Sequence, residues 1–472
     1  MEGSVDGLLA VLKEGEDWEG VVFEGACAAG REVARELLER LDEALAAGRT
    51  EKLRIEGFRT RTVLTRMGPV RVRRRLYREG KRGRFLLDES LGWSRHRAVS
   101  PTLSAIAAEL ASRMPYRMAA EALGKMISQS IGATTLHRLV QTLGAAVSQA
   151  EERSRRSVYE QGKTERVGTE VADPLFVEAD GVSIPLQRES QRRGELKVAV
   201  SYHGVATVSR NPKGRPRRKL LGKVTYAGME DRGQFWEGAW IRIGERYDLD
   251  PTKRVVLGGD GAGWIRGGLE GVGEGLFQLD RFHLAREFMR VLCGAGMTAF
   301  QAAISGDDQT VREMLIDAWR KAGDDPKRGE ELLALEGYLS NNRDGIVDWR
   351  RRANVVSDVR LGAMESNIDK PFATRFKKRG MSWTRRGAHN MAKVLELRAN
   401  GELASACAGL RTTVSANTPR LRPATAASTA PQTRRESPPP FQATFAPRWG
   451  PHASRTWVQA LCRLIDGPTM RN

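Results

Sequence analysis

Apolar and polar positions follow three different patterns in the first third of the chain. Over residues 24–47, apolar side chains recur at helical spacing and Gly48 follows, which predicts one amphipathic helix. Apolar and polar residues then alternate on both sides of Gly68–Pro69, in "FRTRTVLTRMGPVRVRRRLYRE", which predicts a β-hairpin. Residues 116–127 and 133–144 return to helical spacing on either side of "SQSIG". This spacing predicts two helices joined as a helix-turn-helix.

Short apolar strands follow a charged segment, 151–173, that is typical of a linker. The strand patterns are "PLFVEADGV", "GELKVAVSYHGVATV", "KLLGKVTYAGM", "RVVLGGD" and "GLFQLD". A helix is predicted over 233–249, before "RVVLGGD", and a short helix in "AGWIRGGLEGV", after it. The basic segment "SRNPKGRPRRK" is predicted to link the second and third strands. Three strands that can pair as a meander, then two reached through helical crossovers, form the element order of a ribonuclease-H-like fold.

The C-terminal part of the chain, from residue 281 onward, lacks strand patterns, and with it the chain divides into eight predicted units. Residues 281–355 are charged and helical without strand patterns, and from residue 408 the composition is dominated by Thr, Ser, Ala, Pro and Arg. A short helix, "TWVQALCRLID", is predicted near the end. The predicted units are an N-terminal helical segment (1–50), a basic β-hairpin region (51–99), a helix-turn-helix DNA-binding domain (100–150), the linker (151–173), a catalytic core (174–280), a helical insertion (281–355), the C-terminal helical part of the core (356–407) and a mostly disordered basic tail (408–472).

The charge of the chain points to a polyanionic partner. There are 77 basic and 58 acidic residues, a net charge of +19. Between Lys52 and Arg84 lie 13 basic and 2 acidic residues, a density that suits contact with nucleic-acid phosphates, although a solvated strand face is the simpler alternative. The four cysteines are far apart, so neither a zinc module nor a disulfide framework is predicted, and no run reaches the roughly 18 apolar residues of a membrane span. We expect a cytoplasmic protein without a membrane partner.

The stretch "RVVLGGDGAGWIRGG" raises the question of a nucleotide-binding loop. It lacks the Lys-Ser/Thr pair of a Walker loop, and it lacks the spacing and first-strand position of a dinucleotide fingerprint. Its glycines are better explained by a close turn beside Asp260. Asp180 ends the first predicted strand and Asp260 the fourth, and these strands are neighbours in a ribonuclease-H-like sheet.

Adjacent carboxylates repel each other and are stabilised by a divalent cation such as Mg²⁺. Glu365, in "AMESN", occurs in the late segment where a third carboxylate would complete a two-metal site. Each acid alone has an ordinary explanation as a turn or surface residue. Glu178 shares a strand face with Asp180 and is either a supporting residue or a half-exposed strand residue, so we leave it outside the core set.

Five motifs, in order, resemble one family. "FVEADGV", "GELKVAVSYHG", "VVLGGDGAGWI", "LDRFHLAREF" and "GAMESNIDKPFATRFKKRGMSWTRRGAHNMAKV" are similar to the ISLre-type insertion-sequence transposases of bacteria, which are related to Mutator-like elements. The resemblance covers residues 50–400. It implies a DDE transposase on a ribonuclease-H-like fold, with a helical insertion before the final glutamate. Together with the residue patterns, the predicted fold is an α/β catalytic core of mixed sheet and helices with this insertion, preceded by an α+β DNA-binding region with a helix-turn-helix.

The resemblance also implies roles for individual residues. It assigns the catalytic, metal-holding acids to Asp180, Asp260 and Glu365, with two Mg²⁺ ions (Mn²⁺ as an alternative) as cofactors. It matches Asp280 and His283 to the Asp/Cys-x-x-His signature of Mutator-like enzymes, and we carry them as site-adjacent, with a capping or packing histidine as the alternative.

The expected partner is double-stranded DNA, namely the terminal repeats of the element and the target. Because two DNA ends must be held together, we expect at least a homodimer near the bacterial nucleoid. "MSWTRR" is expected to add an aromatic residue near the DNA ends. The residues predicted to contact DNA are Arg71, Arg73, Arg74, Arg75, Thr134, Thr135, Arg138, Gln141, Arg215, Arg217, Arg218, Lys377, Lys378, Arg379 and Arg385. Two alternatives remain open: a catalytically inactive or domesticated DNA-binding descendant of a transposase, and a ribonuclease-H-like nuclease without strand transfer.

Overall fold

The structure is a computed structural model of the chain. It describes residues 17–93, 99–127, 129–164, 166–212, 214, 216–249, 254–270, 272–357, 359–377 and 381–409. The predicted C-terminal helix "TWVQALCRLID" and nearly all of the predicted tail lie outside these residues.

A long helix and a small antiparallel sheet form the N-terminal region. Its elements are α1 (Trp18–Ala47), β1 (Arg54–Thr65), β2 (Gly68–Glu79), β3 (Arg82–Arg84) and α2 (Leu86–Ser90). The predicted hairpin is confirmed, but its turn is at Arg66–Met67, because Thr65 already pairs with Gly68. Helix α1 packs on β2 through Leu38, Leu41 and Leu45, whereas Val33 and Leu37, which also belong to the predicted stripe, are exposed.

Three helices connect this region to the central sheet: α3 (Pro101–Arg113), α4 (Tyr116–Ile127) and α5 (Ala133–Tyr159). The two predicted helices are present, and all six apolar residues of their predicted shared core are buried: Ala120, Leu123, Ile127, Leu136, Val140 and Leu143. Helix α5 continues to Tyr159, so the first nine residues of the predicted linker are helical. The sequence does not indicate this extension of the helix, because the last turns of α5 carry mostly polar side chains.

A five-stranded mixed sheet forms the centre of the described chain. Its strands are β4 (Leu175–Pro185), β5 (Arg193–Tyr202), β8 (Val224–Gly228), β9 (Arg254–Gly259) and β10 (Glu274–Leu279), in the order β10-β9-β4-β5-β8. Strands β4, β5 and β8 pair antiparallel, and β4, β9 and β10 pair parallel. The predicted mixed α/β architecture is therefore confirmed.

The predicted basic link between two strands is instead a second hairpin. Its strands are β6 (Gly204–Arg210) and β7 (Pro216–Leu221), and they form a separate two-stranded sheet. The strand residues Thr207–Arg210 and Pro216–Lys219 are exposed. A hairpin exposed on both faces lacks apolar alternation, which is the pattern by which strands are recognised in a sequence.

Helices make up the rest of the described chain. They are α6 (Arg232–Gly244) and α7 (Gly263–Arg266) between the strands; α8 (Arg281–Leu292), α9 (Gly296–Ser305), α10 (Asp308–Ala322), α11 (Pro326–Asn341), α12 (Arg343–Ile346) and α13 (Trp349–Ala353) in the insertion; and a π-helix (Glu365–Ala373), α14 (Thr374–Lys377), α15 (Arg385–Ala399) and α16 (Leu403–Gly409) after it. Short 3₁₀ turns follow α7 and α8. The predicted helical character of residues 281–355 is present. No described helix combines the length and the apolar character needed to cross a bilayer.

The two faces of the central sheet are covered by different helices. One face packs with α15, the π-helix and the buried sides of α3, α4 and α5 in a single hydrophobic core. The other face packs against α6, α8 and α9. Because α3–α5 share a core with the sheet, the predicted helix-turn-helix is packed onto the central sheet rather than tethered to it by a linker.

Candidate active site

Three aspartates lie at one level across three adjacent parallel strands. Glu178 of β4 pairs with Gly258 of β9 as the last pair of the two strands, and Asp180 and Asp260 each follow two residues later. Strand β9 ends at Gly259 and β10 at Leu279, so Asp260 and Asp280 follow their strands directly. The backbone N–H of Asp280 donates to the carbonyl oxygen of Gly259 at 2.7 Å, which extends the ladder by one step.

Asp180 is not at a strand end as the sequence predicted. Strand β4 runs on to Pro185 because its antiparallel pairing with β5 continues, with Asp180 opposite Val198. Pairing of β4 with β9 stops at Glu178, so Asp180 lies where the sheet opens beside it. Asp180 and Glu178 point to the same face of the sheet, since side chains alternate along a strand.

The charges of the neighbouring aspartates act on Asp180. Burial, together with the charges of Asp260 and Asp280, raises the pKa of Asp180 to about 6, although His283 and the N–H of Gly181 act in the opposite direction. Two further carboxylates therefore lie close enough to Asp180 to oppose its ionisation. A raised carboxylate pKa caused by burial and like charges is typical of a functional site.

Hydrogen bonds distinguish the three aspartates. Asp180 Oδ1 accepts from the N–H of Gly181 at 2.7 Å, and Asp260 Oδ1 accepts from the N–H of Ala262 at 2.9 Å. Among the described residues, Oδ2 of each has no hydrogen-bond partner. In contrast, both oxygens of Asp280 accept hydrogen bonds as the N-cap of α8. Asp180 and Asp260 thus have an oxygen available for a ligand, and Asp280 has an orienting role.

The partner of Asp280 is His283. The distance from His283 Nδ1 to Asp280 Oδ2 is 2.5 Å, and the N–H of His283 donates to the same oxygen at 3.3 Å. Burial opposes protonation of the imidazole, but the hydrogen bond and the charge of Asp280 outweigh it and raise the pKa of His283. Asp280 thus fixes both the ring orientation and the charge preference of a histidine that acts electrostatically on Asp180.

Glu178 is fully buried and connects β4 to the segment that carries Glu365. Its Oε2 accepts from the N–H of Gly362 at 2.8 Å, both carboxylate oxygens accept from the N–H of Ala363, and the hydroxyl of Tyr202 donates to Oε1 at 2.5 Å. These contacts anchor the chain just before Glu365, which begins the π-helix. The supporting role that the sequence left open for Glu178 fits this geometry, and its burial excludes a half-exposed strand residue.

The donor set suits a hard, oxygen-seeking cation. The described residues contain no ready cluster of three or more His, Cys, Asp or Glu side chains placed to hold a metal ion, and the side chain of Glu365 is outside that description. Asp180 and Asp260 are nevertheless carboxylates at one level, each with an oxygen unbonded within the described chain, on the face where Glu365 begins its helix. Carboxylate oxygens are what Mg²⁺ and Mn²⁺ prefer.

The basic residues of β2 divide into exposed and internal ones. Arg71 and Arg73 are exposed. Arg74 is buried and forms a bidentate ion pair with Asp88, at 2.7 and 3.1 Å, and Arg75 pairs with the buried Asp42 at 2.7 Å. Arg74 and Arg75 are therefore held by carboxylates inside the N-terminal region, and Asp88 is shared with Arg61 at 2.8 Å. This geometry removes Arg74 and Arg75 from the predicted DNA-contact set.

The DNA contacts predicted on α5, the second helix of the predicted helix-turn-helix, also divide into exposed and internal residues. Thr134, Thr135 and Arg138 are exposed on the first turns of α5. The side chain of Gln141 instead accepts from Asn390 Nδ2 at 2.8 Å and donates to the carbonyl of Gly387 at 3.3 Å. Gln141 faces α15 because α5 packs along that helix, so it is not on the solvent side that the sequence predicted.

The remaining predicted contacts are mostly exposed. Arg217 and Arg218 on β7, Lys377 at the end of α14 and Arg385 at the start of α15 are exposed, and Arg215, Lys378 and Arg379 lie outside the described residues. Trp383, the aromatic expected near the DNA ends, is buried and packs against Phe376 with ring centroids 4.9 Å apart. It therefore belongs to the core.

Comparison with known proteins places the whole described region in one family. Relatives include two UPF0236 proteins of Caldanaerobacter subterraneus subsp. tengcongensis, each 24% identical, over 383 and 386 residues; each alignment covers 79% of this chain and 75% of the relative. A protein of Streptococcus gallolyticus described as "UPF0236 protein in vanSb 3'region" is 25% identical over 372 residues, 77% of this chain and 78% of the relative. Residues 14–408 match the family described as "Uncharacterised protein family (UPF0236)", and the chain belongs to that family.

Proposed function

We propose that this protein is a transposase that cleaves DNA at the ends of an insertion sequence and joins the freed ends to target DNA. The observation that carries the proposal is the common level of Asp180 and Asp260 on adjacent parallel strands, with Glu178 anchoring the start of the Glu365 helix to the same face. Asp180 and Asp260 are 80 positions apart in sequence, and Glu365 follows Asp260 by 105 positions. The pairing of β4 with β9 and the contacts of Glu178 with Gly362 and Ala363 support a common site for them.

The sheet supports a ribonuclease-H-like catalytic core. Three antiparallel strands, β8, β5 and β4, are followed by two parallel strands, β9 and β10, added on the far side of β4. This is the strand order expected from the sequence for that fold, and the helical insertion lies between the second aspartate and the glutamate. The helix pair α4–α5 would serve as the helix-turn-helix.

The relatives add an independent argument. The names of the two Caldanaerobacter proteins combine eleven and four locus designations, respectively. A protein sequence present at many loci of one genome is what repeated copying of a mobile element produces. The ISLre-type family that the motifs resemble consists of such elements.

Each residue of the site then has a chemical role. Divalent cations held by Asp180, Asp260 and Glu365 would activate the attacking oxygen and stabilise the departing one at a DNA phosphodiester. Asp180 and Asp260 provide the available carboxylate oxygens, Asp280 orients His283, and Glu178 fixes the backbone before Glu365. The freed 3′-hydroxyl of the first cut would be the nucleophile for joining to target DNA.

Positive surfaces outside the acids would bind the DNA backbone. The exposed residues in the reduced contact set are Arg71, Arg73, Thr134, Thr135, Arg138, Arg217, Arg218, Lys377 and Arg385. Because α3–α5 share one core with the sheet, DNA held by α5 would keep a fixed relation to the acids. The proposal includes at least a dimer, since two ends must be held together, and a site of action at the bacterial nucleoid.

The decisive experiment measures cleavage and joining of labelled DNA that contains the sequences flanking the gene, in the presence of Mg²⁺ or Mn²⁺. Asp180→Asn, Asp260→Asn and Glu365→Gln should each lower the cleavage rate by at least ~100-fold, because each removes a ligand charge, while DNA binding persists. Asp317→Asn, on the exposed side of α10, is the matched control and should cleave normally. Wild-type rates in all three site variants would overturn the proposal, and cleavage without joined products would reduce it to a nuclease.

A further inference from the structure

The 30-residue helix α1 carries apolar side chains on two separate faces. Its inner face packs on β2 through Leu38, Leu41 and Leu45. The large apolar residues of α1 that are exposed instead are Trp18, Val22, Phe23, Val33 and Leu37. Single exposed apolar side chains are ordinary on a protein surface, whereas grouped ones mark a contact site. The arrangement of these residues around the helix therefore decides their meaning.

Four of the exposed residues form one row with two alanines. This row, which we call the outer row, consists of Trp18, Val22, Ala26, Ala29, Val33 and Leu37, and all six are exposed. Its first three members recur eleven residues later, and an 11-residue repeat matches about 3.67 residues per turn. The row therefore stays on one side of the helix over about 30 Å. At about 100° per residue, its centre lies roughly 120° around the helix axis from the centre of the inner face.

The outer row has the symmetry that a contact between two identical copies requires. Its spacings are four, four, three, four and four residues, the same in both directions. In an antiparallel pair of α1 helices related by a two-fold axis, Trp18 would face Leu37 of the partner subunit, and Val22 would face Val33 of the partner subunit. The alanines would meet at the centre, where small side chains let the helices approach closely. A two-fold interface buries the same patch on both chains, so it needs a self-complementary surface.

The charge of α1 argues against nucleic acid or an anionic lipid surface as the partner of this helix. The helix contains seven acidic and three basic residues, in a chain whose net charge is +19. Two of the basic residues are already paired within the helix, Arg35 with Glu32 and Glu39, and Arg40 with Glu36. A polyanion would be repelled by such a surface. A second apolar row needs no opposite charge.

We propose that α1 is a dimerisation helix, and that the outer rows of two copies of this chain pack against each other in antiparallel orientation. The choice of a second copy rests in part on the proposed function, which requires two chains to hold two DNA ends. The symmetry of the row is independent of that function. Six positions per chain are fewer than the roughly 20–30 residues per side of a standard interface, so the dimer should dissociate on dilution.

The test measures the mass of the full chain by sedimentation equilibrium, without DNA, over a range of protein concentrations. Wild type should change from one chain to two as its concentration rises. Val33→Glu should raise the dissociation constant at least ~100-fold, because each dimer would place two unpaired carboxylates among apolar side chains.

The matched control is an exposed valine outside α1. Val167 is 72% exposed and Val33 is 67% exposed, so neither substitution removes a contact of the buried core. Val167→Glu should dimerise as wild type does. Circular dichroism and thermal unfolding verify that both variants fold, and Val33→Ser replaces Val33→Glu if it does not.

A mixture of two variants tests the antiparallel orientation. Val22→Lys and Val33→Glu should each dimerise poorly alone. In an antiparallel heterodimer the two substituted side chains face each other with opposite charges, and the second contact between Val22 and Val33 is unchanged. The mixture should therefore form dimers at concentrations where either variant alone is a monomer. Absence of this recovery would overturn the antiparallel pairing, and with it the proposal.

Two other results would also overturn the proposal. A wild type that stays monomeric at all concentrations would reject a second copy as the partner, and a lower melting temperature of Val33→Glu would then assign the outer row to a contact within the chain. A dimer as stable in Val33→Glu as in wild type would place the interface elsewhere.

The same measurements separate this inference from the transposase proposal. Dimerisation that depends on the outer row, in a protein that does not cleave DNA, would retain the inference and reject the transposase. Cleavage and joining by a protein whose assembly is unaffected by Val33→Glu would do the reverse.

Discussion

Two groups of carboxylates, one around Lys393 and one at the parallel strand ends, lie in opposite electrostatic surroundings. In the first, which we call the lysine cluster, the fully buried Lys393 Nζ lies 2.6 Å from Glu151, 3.2 Å from Glu396 and 3.8 Å from Glu230. The ammonium group also lies 3.8 Å from the ring centre of Tyr226. A resident cation therefore balances part of the charge where α5, α15 and β8 meet.

The second group, the aspartate edge, is formed by Asp180, Asp260 and Asp280. In the described part of the chain, Asp180 and Asp260 have no ion-pair partner, and His283, whose charge acts on Asp180, is bound to Asp280. The charges of Asp260 and Asp280 help to raise the pKa of Asp180, whereas in the lysine cluster neighbouring carboxylates raise the pKa of Lys393 despite its burial.

The difference separates a structural cluster from a chemical one. A buried ion pair with its own cation joins elements of the fold, and removing one partner leaves uncompensated charge. Asp180 and Asp260 lack an ion-pair partner in the described chain, and their mutual repulsion is relieved when a cationic ligand binds. Each cluster contains three carboxylates, so the number of acidic residues does not distinguish them. They differ because Lys393 lies among the carboxylates of the lysine cluster.

The largest expected effect is on the lysine cluster. Lys393→Met should lower the free energy of unfolding by about 3–5 kcal/mol, because Glu151, Glu230 and Glu396 would lose their shared cation. Urea denaturation measures this loss. Lys321→Met, which removes an exposed lysine paired with Asp317, should change stability by less than about 1 kcal/mol. Equal losses in the two variants would remove the distinction between the clusters.

The next effect is on the pH dependence of stability at the aspartate edge. Because the pKa of Asp180 is raised to about 6 in the folded state, protonation of Asp180 stabilises that state. Its contribution to the free energy of unfolding is lost as pH rises from about 4 through about 6. Asp180→Asn removes the free-energy cost of ionising a buried carboxylate beside Asp260 and Asp280. It should gain stability relative to wild type over that range, by on the order of 1–3 kcal/mol.

Thermal or urea unfolding in the presence of EDTA, at several pH values, tests this expectation. The chelator is needed because a bound cation would mask the repulsion. A stability difference between Asp180→Asn and wild type that stays constant with pH would mean that the aspartate edge imposes no electrostatic cost on folding.

The smallest effect concerns the residue that supports the edge. Glu178→Ala should slow cleavage about tenfold by freeing the N–H groups of Gly362 and Ala363, and Glu178→Gln should retain most of the rate because its amide oxygen can still accept from them. The loss should appear in kcat and leave KM unchanged, since DNA is bound elsewhere. An equal loss of DNA affinity would assign Glu178 to general stability.

The sequence predicted the central sheet well because buried strands carry their own pattern. The runs at β4, β5, β8, β9 and β10 are apolar, and the helix pair α4–α5 shows clear helical spacing. The β6–β7 hairpin and the last turns of α5 were missed because their side chains are mostly polar. Glu151, for example, is explained by Lys393, which is 242 positions later in the chain.

Side-chain roles were predicted less well than elements. Arg74, Arg75 and Gln141 look exposed or basic in sequence, but each pairs with a side chain 14 or more residues away. Trp383 packs against Phe376, and its backbone N–H donates to the carbonyl of Pro185 on β4. Such partners depend on tertiary packing, which a strand or helix pattern does not contain. The position of Glu178 beside the site could be predicted, because a residue two positions before Asp180 on the same strand points to the same face of the sheet.

The pairing of β4 with β9 has a consequence for how such a protein can change over time. The separation of Asp180 and Asp260 in space is set by backbone ladder contacts, independently of how many residues connect the two strands. The β6–β7 hairpin and the loops beside it can lengthen or shorten while the aspartates stay level. A slip of one residue between β4 and β9 would turn Asp260 to the opposite face of the sheet. Descendants of this chain are therefore free to vary in loop length but not in strand alignment.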